Sequence, residues 1–135
     1  METADFKVDV EQAAGSPNVA VFRLAGKLDT AGAEILKNAA EQAHAGGTRY
    51  LLLDFNDVSF VSSAGLGAVL AVYKMLTPRN PTLQMMKPPP ADPARSPYLK
   101  LARLNPQIYY TFNISGYSNR IAIYPDVETA LASFA

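Results

Sequence analysis

The chain has 135 residues, of which 49% are hydrophobic and 18% charged, a balance that suits one globular domain with one buried core and excludes a disordered chain. Twelve lysines and arginines balance twelve aspartates and glutamates, so the basic footprint of a nucleic-acid-binding protein is absent. The sequence has no cysteine and one histidine, His44, which excludes disulfides, thiolate catalysis and metal sites built from Cys ligands or paired His ligands.

The beginning of the chain lacks the features of an export signal. Residues 1–9 carry Glu2, Asp5 and Asp9, where a signal peptide has a cationic start followed by an apolar run. The uncharged stretch at residues 58–73 contains three serines and is shorter than the roughly 20 apolar residues of a membrane span. We therefore expect a cytoplasmic protein with no membrane insertion.

The first predicted element is a β-hairpin. Apolar and polar residues alternate over residues 6–10, the segment 15–18 has the composition of a turn, and residues 19–24 form a second apolar run. Two such runs around a turn are typical of paired antiparallel strands.

A helix and a buried strand follow the hairpin. Residues 30–45 place apolar side chains at three- and four-residue spacings, which predicts an amphipathic helix with Asp29 or Thr30 as its N-cap. Residues 50–55 are a compact apolar run of the kind that a strand shows when both of its faces are covered. This strand is expected at the centre of a sheet.

A second helix is predicted to begin at the adjacent serines Ser62 and Ser63. Leu66, Val69 and Tyr73 fall on one helical stripe after them, while residues that favour turns precede them. Serine is among the preferred N-cap residues, so a capping role is the simplest interpretation of this pair.

The remainder of the chain predicts a loop insertion and two strand–helix units. Residues 77–97 contain seven of the ten prolines, which neither a helix nor a central strand tolerates, so we expect a long loop. A strand over 98–104, a helix opening at Asn105, a strand over 121–124 and a helix capped by Asp126 follow. The prolines thus separate two groups of elements.

The order of these elements predicts the fold class. Strands that alternate with helices after an initial hairpin favour an α/β domain whose sheet is mixed and mostly parallel. We expect one domain over residues 1–135, with about five strands and about four helices packed on the sheet.

No catalytic machinery is predicted. Asp54 and Asp57 are spaced as a carboxylate pair, but no histidine or metal motif accompanies them. The Gly-x-Ser-x-Gly signature of a serine hydrolase is absent as well. We therefore expect a protein that binds other molecules and is not an enzyme, and no cofactor is predicted.

Several motifs in order resemble the STAS family of anti-sigma-factor antagonists. Together they span nearly the whole chain, and their order is more specific than any one of them. The motifs are Gly-Lys-Leu-Asp at 26–29, Leu-Leu-Leu-Asp-Phe at 51–55, Val-Ser-Phe-Val-Ser-Ser-Ala-Gly-Leu-Gly at 58–67, Leu-Asn-Pro-Gln at 104–107, Ile-Ser-Gly-Tyr at 114–117 and the ending at 123–131.

The resemblance implies a role in bacterial partner switching. In that family the unphosphorylated antagonist binds an anti-sigma factor that is also a serine kinase of the GHKL type, and thereby frees a sigma factor. The kinase phosphorylates one serine at the helix start, and a phosphatase of the PP2C type removes the phosphate. Mapped here, Ser63 is the phosphoacceptor, and Ser62, which stands where the family most often has Asp, is the alternative.

The same resemblance, together with the convergence of two loops at one end of an α/β sheet, predicts a partner-binding surface. The predicted surface comprises Asp29, Thr30, Ser59, Phe60, Ser62, Ser63, Gly65 and Leu66.

A second hypothesis for the function is that the chain is a STAS accessory subunit that is not phosphorylated and binds an ATPase in a transport complex.

Overall fold

The computed structural model describes residues 6–13, 16–77, 98–116 and 120–134. In these ranges the strands are β1 (Lys7–Ala13), β2 (Ser16–Leu28), β3 (Tyr50–Val61), β4 (Leu99–Ala102) and β5 (Ala122–Tyr124). The helices are α1 (Thr30–Ala45), α2 (Ser63–Leu76), α3 (Pro106–Ile114) and α4 (Val127–Ala132). The predicted order of elements is therefore confirmed. Apart from Thr77, the predicted loop at 77–97 lies outside the described residues.

The five strands form one sheet in the order β1-β2-β3-β4-β5. The hairpin strands β1 and β2 are antiparallel, while β2, β3, β4 and β5 pair in parallel. The mixed, mostly parallel α/β sheet with β3 at its centre is confirmed. Parallel strands that follow one another in space need helical crossovers, which α1, α2 and α3 supply.

The main core lies between one face of the sheet and the helices α1, α2 and α3. Alternate residues of β2 and β3 point into it, among them Phe22, Leu53 and Phe55, all fully buried. The Phe55 ring packs edge-on against Phe112 of α3, with ring centroids 5.9 Å apart. Truncating a buried side chain of this size costs about 3–5 kcal/mol, so these contacts fix the helices on the sheet.

The opposite face of the sheet carries α4 over a smaller apolar cluster. Val21, Leu52 and Ala102 form a buried cluster with Ala130 of α4 there, which explains why the sequence of the central strand is a continuous apolar run. Lys100 also points to this side, and burial lowers the pKa of its amine. Its Nζ donates to the carbonyl and hydroxyl oxygens of Ser133 at 3.0 and 2.7 Å, which fastens the end of α4 to the sheet.

Several element boundaries differ from the predicted ones: β1 (Lys7–Ala13) and β2 (Ser16–Leu28) extend beyond the predicted runs at 6–10 and 19–24, and β4 (Leu99–Ala102) is shorter than the predicted 98–104. β3 continues to Val61, six residues beyond the predicted end at Phe55, because the long end of β2 pairs with it as far as Leu28. The last helix, which the sequence predicts through Phe134, ends at Ala132, and Ser133 is its C-cap. The extension of β3 arises from contacts between segments that are distant in sequence, whereas the end of α4 is marked by local hydrogen bonds from Ser133 to Thr129 and Ala130.

Candidate functional site

The carboxyl ends of β2 and β3 form the edge at which the predicted site residues meet. Leu28 pairs with Val61 as the last residue of each strand, and each strand then turns directly into a helix. The backbone N–H of Ser62 donates to the carbonyl oxygen of Leu28 at 3.0 Å, which joins the two turns. We call residues 28–30 and 59–67 the serine edge.

Asp29 caps the first helix of the serine edge. Its Oδ1 accepts a hydrogen bond from the backbone N–H of Gly32 at 3.0 Å, which identifies Asp29, and not Thr30, as the N-cap of α1. An N-cap of this kind stabilises a helix by about 1 kcal/mol. Thr30 follows as the first helical residue and is exposed. The carboxylate is thus occupied by the backbone, while the threonine faces solvent.

Ser62 caps the second helix, and its hydroxyl is engaged in two directions. Its Oγ accepts from the backbone N–H of Gly65 at 3.1 Å and donates to the carbonyl oxygen of Leu28 at 3.4 Å. The side chain is half-buried. Modification of this hydroxyl would remove a donor and displace the cap from the first turn of α2.

Ser63 is the first residue of α2 and is exposed. Among the described residues its hydroxyl makes no hydrogen bond. The backbone N–H groups in the first turn of a helix lack helical partners and carry partial positive charge, which favours an anion beside them. No acidic residue lies in the first turn of α2, so nothing in that turn opposes a negative charge on Ser63.

Gly65 holds the two turns of the serine edge together through its lack of a side chain. It is buried, and an added Cβ would lie 2.2 Å from the carbonyl oxygen of Leu28 and 3.1 Å from Cγ1 of Val61. Only glycine permits this close approach of α2 to the end of β2. Gly65 therefore shapes the surface from beneath it and offers no side chain to a partner.

The remaining predicted residues lie on both sides of the serines. Phe60 is 47% exposed although it is a large aromatic residue, and it pairs in register with Lys27. Ser59 is exposed, whereas Leu66 is half-buried and packs against the main core. The edge thus presents neutral hydroxyls and an exposed aromatic ring, while Leu66 belongs partly to the core.

Asp54 lies away from the serine edge, on the face of the sheet that carries α4. Its side chain is almost fully buried and accepts hydrogen bonds from Arg103, at 3.0 and 2.6 Å, from Arg23 at 3.0 Å and from the backbone N–H of Asn56 at 3.1 Å. Burial alone would raise the pKa of Asp54, but the hydrogen bonds from Arg103 and Asn56 and the two guanidinium charges lower it overall.

Asp57, in contrast, is exposed and accepts from the side-chain amide of Asn56 at 3.1 Å. The carboxylate of Asp54 is committed to an ion-pair network that continues through Arg23 to Glu11 at 3.1 Å. The two carboxylates therefore do not form the acid–base pair that their spacing suggested.

The sequence reasoning did not identify Arg103 as the main partner of Asp54. Arg103 stands 49 positions further along the chain, and its backbone has a φ of 61°, a conformation that non-glycine residues rarely adopt. The alternation of Arg23 with the buried residues on either side of it in β2 was the available signal, since it places a charge on the face opposite the main core.

The described ranges contain neither a cluster of metal-binding side chains nor a membrane-spanning helix. No group of three or more His, Asp or Glu side chains there could hold a metal ion. None of the helices within those ranges is long and apolar enough to cross a membrane.

Comparisons with known proteins give consistent results. The model of the STAS domain matches residues 12–92. An anti-sigma factor antagonist from Mycobacterium paratuberculosis aligns with a TM-score of 0.74 and 20% identity, over 96% of this chain and 94% of that one. The Bacillus cell fate determinant SpoIIAA in its phosphorylated form aligns with a TM-score of 0.64 and 20% identity, over 96% and 100% of the two chains.

Proposed function

Because the chain belongs to the STAS domain family, we propose that it is an anti-sigma factor antagonist that works by partner switching. Its unphosphorylated form binds an anti-sigma factor through the serine edge, and phosphorylation of Ser63 releases that partner. Solved structures of similar fold include anti-sigma factor antagonists, which supports the general role. The phosphoacceptor and the surface are our proposal.

The difference between two adjacent hydroxyls carries this proposal. Ser62 is half-buried and uses its Oγ as both acceptor and donor, whereas Ser63 is exposed and its hydroxyl has no partner within the described ranges. A kinase needs an accessible hydroxyl that can leave its local contacts without unfolding the site. Ser63 meets that requirement, and Ser62 does not.

The chemistry of the modification explains release. Phosphorylation adds about 1.5–2 negative charges and three strong acceptor oxygens, which the first turn of α2 accommodates through its N–H groups and dipole. An interface formed around a neutral hydroxyl would have to bury that charge, at a cost of several kcal/mol when the charge is unpaired. The domain therefore stays folded while the complex dissociates.

Two enzyme classes complete the proposed cycle. The anti-sigma factor is itself the serine kinase, of the GHKL type, so the bound partner is also the enzyme that ends the interaction. A PP2C-type phosphatase restores the binding-competent hydroxyl. This chain supplies the switched residue and the surface around it, and it contributes no catalytic group.

The test uses the anti-sigma factors encoded in the genome that encodes this protein. Each is purified and incubated with ATP and with the wild type, Ser62→Ala, Ser63→Ala or the matched control Ser59→Ala, and the labelled residue is identified by mass spectrometry. We expect labelling of the wild type, Ser59→Ala and Ser62→Ala at Ser63, and none of Ser63→Ala. Ser63→Ala should still bind, and Ser63→Glu should bind at least tenfold more weakly.

The other outcomes have distinct meanings. Labelling that is lost in Ser62→Ala and kept in Ser63→Ala would move the acceptor to Ser62. If no anti-sigma factor binds or labels the protein, and it instead co-purifies with an ATPase of a transport complex, the accessory-subunit hypothesis replaces this one.

A further inference from the structure

No contact with the described residues requires a glycine at position 67. It is exposed in the second turn of α2, and an added Cβ would meet no described atom within 4 Å. Its φ lies outside the left-handed region, unlike the φ of Gly26, Gly47 and Gly116. Alanine would therefore fit here without strain.

This absence of an internal reason distinguishes Gly67 from the other helical glycines. An added Cβ on Gly65 would lie 2.2 Å from the carbonyl oxygen of Leu28, and one on Gly32 would lie 2.8 Å from that of Lys27, so close packing explains both. A glycine in a helix interior lowers helix stability relative to alanine. Gly67 therefore lowers the stability of the unbound domain, and no contact with the described residues accounts for the choice of glycine.

The position of Gly67 relative to Ser63 suggests a role for this glycine in partner binding. Residues four apart on a helix lie on the same face, one turn from each other, so Gly67 continues the exposed surface that begins at Ser63. No charged side chain occurs in α2 before Lys74. The helix surface beside the proposed phosphoacceptor is therefore uncharged, and at Gly67 it exposes the helix backbone.

We infer that Gly67 is the point at which the main chain of the anti-sigma factor comes into direct contact with α2, and that the missing side chain determines which partners fit. The inference rests on the proposed function. A glycine permits an approach between backbones that even a methyl group would prevent. A methyl group added at such a contact would have to be accommodated by displacing the partner.

The test compares Gly67→Ala with the matched control Asn38→Ala. Asn38 is an exposed residue in the middle of α1, and its replacement by alanine also increases helix propensity. We expect both variants to raise the melting temperature, by about 2–4 °C for Gly67→Ala. Binding of the anti-sigma factor, measured by calorimetry, should weaken about tenfold or more for Gly67→Ala and remain unchanged for Asn38→Ala.

Each result is decisive. Full affinity of Gly67→Ala, with wild-type binding intact, would overturn this inference and leave the proposed function standing. A fall in the melting temperature would show that the glycine serves the fold, which also overturns it. If the wild type binds none of the anti-sigma factors, the proposed function fails and this inference fails with it.

Discussion

The two polar regions of the molecule are built from opposite kinds of groups. Around Asp54, on the face that carries α4, the groups are charged and each one is paired, with Arg103 and Arg23 on the carboxylate. At the serine edge the only charged group is the carboxylate of Asp29, which caps α1, and the exposed hydroxyl of Ser63 begins a helix turn without acidic residues. The paired charges around Asp54 therefore hold the sheet together, whereas the accessible hydroxyl lies at a helix start that carries no charged side chain.

The free-energy cost of burying an unpaired charge explains why these two regions differ in their content of charged groups. A buried carboxylate without partners is expensive, so Asp54 exists in the interior only because three groups donate to it. The start of α2 keeps several N–H groups free of helical partners, and no acidic residue in its first turn repels a new negative charge. Substitutions in the two regions should therefore have different effects.

The largest effect is expected from Asp54→Ala. The change leaves the backbone N–H of Asn56 and the guanidinium of Arg103 without this acceptor, while Arg23 keeps its ion pair with Glu11, and we expect the free energy of unfolding to fall by about 2–3 kcal/mol. The arginines are partly exposed and can be rehydrated, which limits the loss. Urea unfolding measures it, with exposed Asp57→Ala as the control that should change stability by less than about 0.5 kcal/mol. Equal losses of unfolding free energy in Asp54→Ala and Asp57→Ala would contradict the structural role that we assign to the buried carboxylate.

Gly65→Ala should have the next largest effect, and it acts at the serine edge. The added methyl group would overlap the carbonyl oxygen of Leu28, so the first turn of α2 must shift, at a cost of about 2 kcal/mol. Gly67→Ala is the matched control, since the same change two residues later is expected to stabilise the helix. Thermal unfolding of both variants should therefore give shifts of opposite sign, and shifts of the same sign would refute the packing role of Gly65.

The smallest effect is a pH dependence of stability that comes from the Asp54 carboxylate and that a comparison of wild type with Asp54→Asn isolates. Because the pKa of Asp54 is lowered by folding, its ionised form stabilises the protein above the ordinary value of 3.8, and this contribution is lost as the pH falls through the lower folded value. Asp54→Asn cannot titrate at this position. The stability difference between wild type and Asp54→Asn should be constant near neutral pH and shrink in acid, whereas a difference that stays constant into the acid range would contradict the cause we assign.

The elements that could be predicted from the sequence are those specified by local signals. The helix start at Asp29 and the one at the paired serines follow from capping chemistry within four residues. The central position of β3 follows from a continuous apolar run at 50–55, because such a run requires cover on both faces. In each case the information lies in neighbours along the chain.

What could not be predicted depends on contacts between distant segments. Residues 56–61 lack strand alternation and are extended because the end of β2 pairs with them through two register shifts. The bond between Arg103 and Asp54 crosses 49 positions and depends on which face of β3 the aspartate occupies, which an unbroken apolar run does not reveal. The buried position of Gly65 could not be predicted either, because it depends on the close approach of α2 to Leu28 at the end of β2.

The sequential strand order has a consequence for how much the chain can vary in length. α2 ends at Leu76 and β4 begins at Leu99, and since crossover helices run against their strands, both points belong to the edge opposite Ser63. The entropy of closing a connection grows only with the logarithm of its length, by about 0.6 kcal/mol for each doubling. Lengthening the chain between these two points therefore costs little entropy, which makes this crossover a suitable place to attach a reporter group.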